Sequence, residues 1–191
     1  EVIFHSRSRT KTVYFVYSGE VMLYNLTKHG NRKVIFILGK GRLLNQSIVS
    51  KKPNALFCEA VCPVKVIEIA EEQFLQLMEQ SHALTRAVLR EYERNLWRMG
   101  HQLKNTTGNM QMERKIAAKL WKLGRDFGVD TEDGVMIDID LTITLMADLV
   151  GAPRENVSRA CKVLTDRGLI RYGNKRFILT DSDGLAEFYK M

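Results

Sequence analysis

Residues 154–159 place Arg154, Glu155, Ser158 and Arg159 within about one and a half helical turns of one another, and these side-chain types suit the reading of base-pair edges. An arginine fork donates two hydrogen bonds to guanine O6 and N7, and a glutamate accepts from the exocyclic amine of cytosine or adenine. A carboxylate brought up to DNA is costly unless it reads a base. Cations for the phosphate backbone lie close by: residues 154–176 carry seven Lys and Arg against Glu155 and Asp166 alone. Lys162, Lys175 and Arg176, together with Thr142 and Asn156, are the candidate phosphate contacts.

Such groups work only if rigid elements hold them. Thr142 is a good N-cap for a short helix ending at Gly151, with Met146, Leu149 and Val150 inward and Ala147 small where a second helix must cross closely. Gly151 suits the positive φ of a tight turn. Pro153 then fits the first turn of a new helix, whose Val157, Cys161 and Leu164 share one face while Arg154, Glu155, Ser158, Arg159 and Lys162 project elsewhere. This is the helix-turn-helix arrangement; an ordinary helical hairpin on the surface is the bland alternative. Leu169–Tyr172, a turn at Gly173-Asn174, and Lys175–Leu179 read as a β-hairpin wing.

Bulk charge does not locate the site. The chain is +7 overall, but residues 1–108 hold 16 Lys and Arg against 9 Asp and Glu, whereas residues 109–191 hold 13 of each. The 191 residues, 45% hydrophobic and 27% charged, have the composition of a globular protein. No run approaches the length of a membrane span, and Glu1 to Arg9 lack the basic-then-apolar order of a signal peptide. Cys58, Cys62 and Cys161 cannot all pair and form no dense framework, so the expected compartment is the cytoplasm. Cys58 and Cys62, four apart, would share one face of a strand. Without further ligands nearby they read as structural thiols.

The first 70 residues read as short strands: Val13 to Tyr17, Val21 to Leu26, Val34 to Leu38, Leu56 to Val61 and Val64 to Ile69, with breaks at Ser18-Gly19, Lys28–Asn31 and Gly39–Gly41. Several strands at near-regular spacing suggest a sandwich, roll or barrel. Phe74, Leu77 and Met78 then mark a short helix, and a long one runs from Ser81 to about Thr107. At about 1.5 Å per residue it spans roughly 40 Å, too long for so small a roll to cover. Its apolar residues Leu84, Val88, Leu96, Met99 and Leu103 are therefore assigned to a dimer interface. Arg86, Arg90, Arg94 and Arg98 run along it every four residues; they suit either an anionic ligand or a solvated face. Thr106–Asn109 is the best boundary, followed by a helix through Ile116, Leu120 and Leu123 and an acidic connector from Asp130 to Asp140. The expected fold is α+β: an antiparallel β domain (1–80), be it a sandwich, a barrel or a β-roll of the cupin-like jelly-roll type, a dimerisation helix (81–108) and a C-terminal winged helix-turn-helix (109–191).

Tyr14–Val21, Gly30 and Ile37–Gly41 resemble the β-roll of the cyclic-AMP receptor protein/FNR regulators. Leu141-Thr142 through Gly151, Arg154–Arg159 and Arg167–Ile170 resemble that family's winged helix-turn-helix. The resemblance implies a homodimer joined through the long helix, a small-molecule effector sensed by the roll, binding to double-stranded DNA, contact with RNA polymerase and activation of transcription. It also implies an inverted-repeat site, because Arg-Glu-x-x-x-Arg goes with TGTGA half-sites and Glu-x-x-Ser-Arg with TTGAT half-sites, and this chain superimposes both patterns. Arg159 would then take the guanine of a TGA-like core.

The effector itself is unknown. Cyclic-nucleotide binders of the family carry a Glu for the ribose and an Arg-Ser pair for the phosphate where this chain aligns Gln46 and Asn54-Ala55. Iron–sulfur members need cysteines in an N-terminal extension and one in the roll, where Ile67 stands. Both effectors are disfavoured. Two rival readings are a cupin-like metalloenzyme and a ligand-binding module whose winged helix docks protein. The first needs clustered ligands, whereas His5, His29, His82 and His101 are scattered.

Overall fold

The fold was analysed in a computed structural model that describes residues 1–106 and 110–190. The chain forms two compact units, Glu1–Lys104 and Asn105–Met191. The sequence boundary at Thr106–Asn109 falls largely on residues 107–109, outside the described residues.

In the first unit, β1 (Val2–Phe4), β3 (Val21–Leu26), β4 (Arg32–Leu38) and β5 (Phe57–Ala60) form an antiparallel sheet in the order β1-β5-β3-β4, and β2 (Thr12–Ser18) pairs with β6 (Lys65–Ala70). Alternating apolar residues on these strands, Phe4, Val16, Val21, Leu23, Phe36, Leu38 and Cys58, meet in one core with Leu44 from the connection after β4. Gly19 makes the β2–β3 turn: its φ is +81°, and a Cβ there would lie 2.5 Å from the Pro63 carbonyl oxygen. Five strands fall where alternation placed them. The three-residue β1 was not expected, being too short to show a period.

The helix α1 (Glu71–Gln80) and the long helix α2 (His82–Thr106) follow. A second cluster, Val13, Leu43, Ile48, Phe74 and Val88, with Leu84 and Tyr92 packed against it, fixes both helices to the roll. A buried ion pair reinforces the contact, Arg42 Nε lying 2.8 Å from a Glu91 carboxylate oxygen. Val88 is thus a core residue of its own chain, only 4% exposed, while Leu96 and Leu103 are 72% and 65% exposed.

The cysteines do not share a strand face. Cys58 lies in the roll core, and Cys62, beyond the end of β5, donates from Sγ to a Glu20 carboxylate oxygen at 2.9 Å. Burial pushes the Cys58 thiol up to about 12 and the Cys161 thiol up to about 11, so both stay protonated packing groups.

In the second unit, α3 (Met112–Phe127) buries Ile116, Ala117, Leu120 and Leu123. The segment read as an acidic connector is instead a hairpin, β7 (Gly128–Thr131) and β8 (Gly134–Ile137), followed by the short stretch Asp138–Leu141. Its charged residues face solvent, and β8 is held by pairing with β10 (Arg176–Leu179), a tertiary contact that composition does not encode. The four-stranded sheet runs β7-β8-β10-β9, with β9 at Ile170–Gly173. The remaining helices are α4 (Ile143–Val150), α5 (Arg154–Asp166) and α6 (Ser182–Lys190), of which α6 was not anticipated.

Candidate nucleic-acid interface

The two helices α4 and α5 carry the candidate site. The Thr142 hydroxyl accepts a hydrogen bond from the Leu145 amide at 3.0 Å, capping α4 as its residue type predicts. Thr142→Ala is expected to lower the stability of this unit by about 1 kcal/mol, measurable by urea unfolding followed by circular dichroism. Gly151 ends α4 at φ +72°, and its amide bonds to the Ala147 carbonyl at 2.7 Å, closing the turn into α5. Pro153 is the residue just before α5, not inside its first turn: its ψ is +139°, and its carbonyl accepts the Val157 amide.

Apolar faces lock the pair. Leu145, Met146, Ala147 and Leu149 on α4 are buried, as are Val157, Ala160, Cys161 and Leu164 on α5; Val150 is only half-buried. That packing leaves Arg154, Glu155, Ser158, Arg159 and Lys162 exposed at the start and along the open side of α5. The Arg159 guanidinium donates to Asn156 Oδ1 at 2.5 Å, so a neighbour one turn back aims the fork. Glu155 also sits where a carboxylate favours the positive end of the helix dipole.

The wing forms with a register shifted by one residue from expectation. Its two-residue turn is Asn174-Lys175, with φ of +50° and +60°, while Gly173 stays in β9 opposite Arg176. Pairing of Ile170 with Leu179 and Tyr172 with Phe177 puts Ile170, Phe177 and Leu179 into the core, and that packing decides the register. Lys175 is exposed at the tip. Arg176 lies against the carboxylates of Asp138 and Asp140, and Arg171 against Asp133, partners that the sequence reading missed because they come from the unexpected hairpin and the stretch after it.

The comparisons with known proteins cover both units. A "Crp-like helix-turn-helix domain" model matches residues 114–188, and a "Cyclic nucleotide-binding domain" model matches residues 1–81. The CRP-like cAMP-activated global transcriptional regulator of Mycobacterium tuberculosis is 25% identical over 91% of this chain and 78% of its own length. The chain belongs to the cyclic-AMP receptor protein/FNR family. The global nitrogen regulator of a Nostoc strain is likewise 25% identical, over 92% of this chain and 80% of its own. In fold, FixK2 from Bradyrhizobium japonicum matches 98% of this chain and 91% of its own at a TM-score of 0.84 and 21% identity. As a member of this family the chain is an effector-responsive DNA-binding transcription regulator and not an enzyme.

Membership in the cyclic-AMP receptor protein/FNR family makes a cyclic nucleotide the obvious candidate effector, and the residues can be tested against it. The Gln46 side chain is turned inward, Nε2 donating to the Leu44 carbonyl at 3.0 Å and Oε1 accepting the Leu56 amide at 3.3 Å. Asn54 is buried and neutral, its Nδ2 without a hydrogen-bond acceptor, and Ala55 has no hydroxyl. Arg42, the cation that follows Gly41, is turned to Glu91 and, at 3.4 Å, to Asn95 on α2. A phosphate would find no arginine fork here. These residues do not fit a cyclic nucleotide. Among the described residues, moreover, no group of three His, Cys, Asp or Glu is placed to hold a metal ion, and no helix is long and apolar enough to cross a membrane.

Along α2, the apolar residues named from the sequence part into two faces. Leu84 and Val88 pack on the roll, whereas Leu96, Met99 and Leu103 are exposed together with Leu89, which the sequence reading passed over. The arginines do not form one face either. Arg86, Arg90 and Arg94 are exposed, but Arg98 is half-buried with its guanidinium 5.1 Å from the Phe36 ring centre.

Proposed function

We propose that the protein binds an inverted-repeat DNA site as a homodimer joined through α2, with α5 of each copy in the major groove. The observation that carries this reading is the exposed edge of α5, where Arg154, Glu155, Ser158 and an Arg159 aimed by Asn156 stand on a helix locked by α4. Arg159 takes a guanine of a TGA-like core, and Glu155 takes the opposite-strand cytosine or a neighbouring adenine. Thr142 at the α4 N-terminus, Asn156, Lys162 and Lys175 run along the phosphates, with Arg176 beside Lys175 on the wing. The protein works in the cytoplasm, and a small molecule bound by the roll changes its affinity for DNA. Bound near a promoter, it touches RNA polymerase and raises transcription.

Selection of preferred sequences from random duplex DNA tests the reading. A two-fold symmetric site with half-site centres about 10–10.5 base pairs apart, or a multiple of that, is expected. Enrichment of no sequence over the starting pool would overturn it.

The effector we propose is a small molecule other than cyclic AMP. Titration calorimetry with micromolar cyclic AMP is expected to give no saturable heat, because Gln46 and Asn54-Ala55 supply neither the carboxylate for the ribose nor the fork for the phosphate. Saturable micromolar binding that sharpens DNA affinity is the contrary outcome.

A further inference from the structure

The stretch Asp138–Leu141 runs directly into the Thr142 cap of α4, and its side chains alternate. Ile139 and Leu141 are buried, so Asp138 and Asp140 both point outward on one side. A backbone bond from the Leu141 amide to the Lys175 carbonyl, 2.7 Å, ties this stretch to the wing tip. There the Arg176 fork meets both carboxylates, Nη1 on Asp138 and Nη2 3.7 Å from Asp140. Arg171, on the neighbouring strand, meets Asp133 in the β7–β8 turn. Of the three wing cations, Lys175 alone has no carboxylate within ion-pair distance among the described residues.

A DNA phosphate and an aspartate compete for the same guanidinium geometry. We propose that Asp138 and Asp140 set how strongly this protein holds DNA of any sequence, by occupying Arg176 so that a phosphate must displace them. Lys175 is then the working phosphate contact of the wing, and Arg176 is held in reserve. The two carboxylates, about half exposed, also repel the backbone themselves. Neither effect depends on base sequence, so the device acts equally on target and random DNA and leaves recognition to α5. The inference rests on the winged helix-turn-helix binding duplex DNA.

The test is fluorescence anisotropy of the full chain on a selected duplex and on a random one, from 50 to 200 mM salt. Salt-dependent binding by the natural chain supports the DNA reading itself; its absence would overturn that reading and this one together. Asp138→Asn with Asp140→Asn is expected to tighten both duplexes by the same several-fold factor and to steepen the salt slope by about 0.9, so that the gain shrinks roughly 3.5-fold across that salt range. Adding Arg176→Ala to that variant should restore the natural slope. In the otherwise natural chain, Lys175→Ala should flatten the slope by about 0.9 and Arg176→Ala by much less. This last pair decides the matter even if the double variant fails to fold. Equal flattening by Lys175→Ala and Arg176→Ala, or an unchanged or weakened double variant with native circular dichroism, sinks the proposal while leaving DNA binding intact.

Discussion

Leu96→Asp combined with Leu103→Asp is expected to turn the protein into a monomer at micromolar concentration. Leu89, Leu96 and Leu103 recur every seven residues with Met99 between them, the spacing of a two-helix seam, and all four are exposed on a single chain. In a two-fold dimer each aspartate appears twice, and an unpaired charge placed in an apolar seam costs several kcal/mol. Sedimentation velocity should show the loss of the dimer. DNA binding should weaken sharply as well, because two linked heads bind a two-part site far better than one. The substituted residues do not pack in the roll, so circular dichroism should stay native. Val88→Asp is the contrasting variant: Val88 lies in the cluster with Val13, Leu43, Ile48 and Phe74, and a charge there should unfold the first unit rather than part the dimer cleanly. A full-strength dimer from the Leu96 and Leu103 variant would place the interface elsewhere.

The same helix shows what the sequence could and could not express. Its existence followed from length and period, but its apolar residues serve two faces. Val88 and Leu89 are adjacent in sequence and about 100° apart around the axis, one bound to the roll and one open. A single list of apolar positions merges the two, and only the position of the roll separates them. In the second unit, the α4–turn–α5 pair was legible because each device is local: the Thr142 cap, the positive φ of Gly151, and the three-to-four spacing of Val157, Cys161 and Leu164. The hairpin β7–β8 was not legible. Its strands are four residues each, Asp130, Glu132 and Asp133 give it the composition of a loop, and it exists by pairing with β10 some forty residues later. Missing the hairpin meant missing the pairing of Arg171, and treating Asp138 and Asp140 as connector hid the pairing of Arg176, so the wing looked more cationic than it is.

Arg159→Ala is expected to cost about 1–3 kcal/mol on the selected site, roughly 5- to 150-fold, and to relax preference at one guanine while leaving other positions unchanged. The reason is geometric. Asn156 Oδ1 holds one nitrogen of the guanidinium at 2.5 Å, so the fork is partly ordered before DNA arrives and less freedom is lost on binding. Arg159→Lys keeps the charge and loses the fork, so it should resemble the alanine variant in specificity more than in salt dependence. Asn156→Ala should reproduce part of the loss at the same guanine, since it removes the group that aims the fork. Glu155 has a simpler role open to it, a carboxylate at the start of α5 worth about 0.3–1 kcal/mol through the helix dipole. Glu155→Gln separates the two: a base reader loses preference at its own base pair, whereas a dipole partner loses only stability. Repeating the site selection with each variant checks all four. Should Arg159→Ala lower affinity uniformly and leave the selected sequence unchanged, α5 is gripping the backbone and the bases are read by another element.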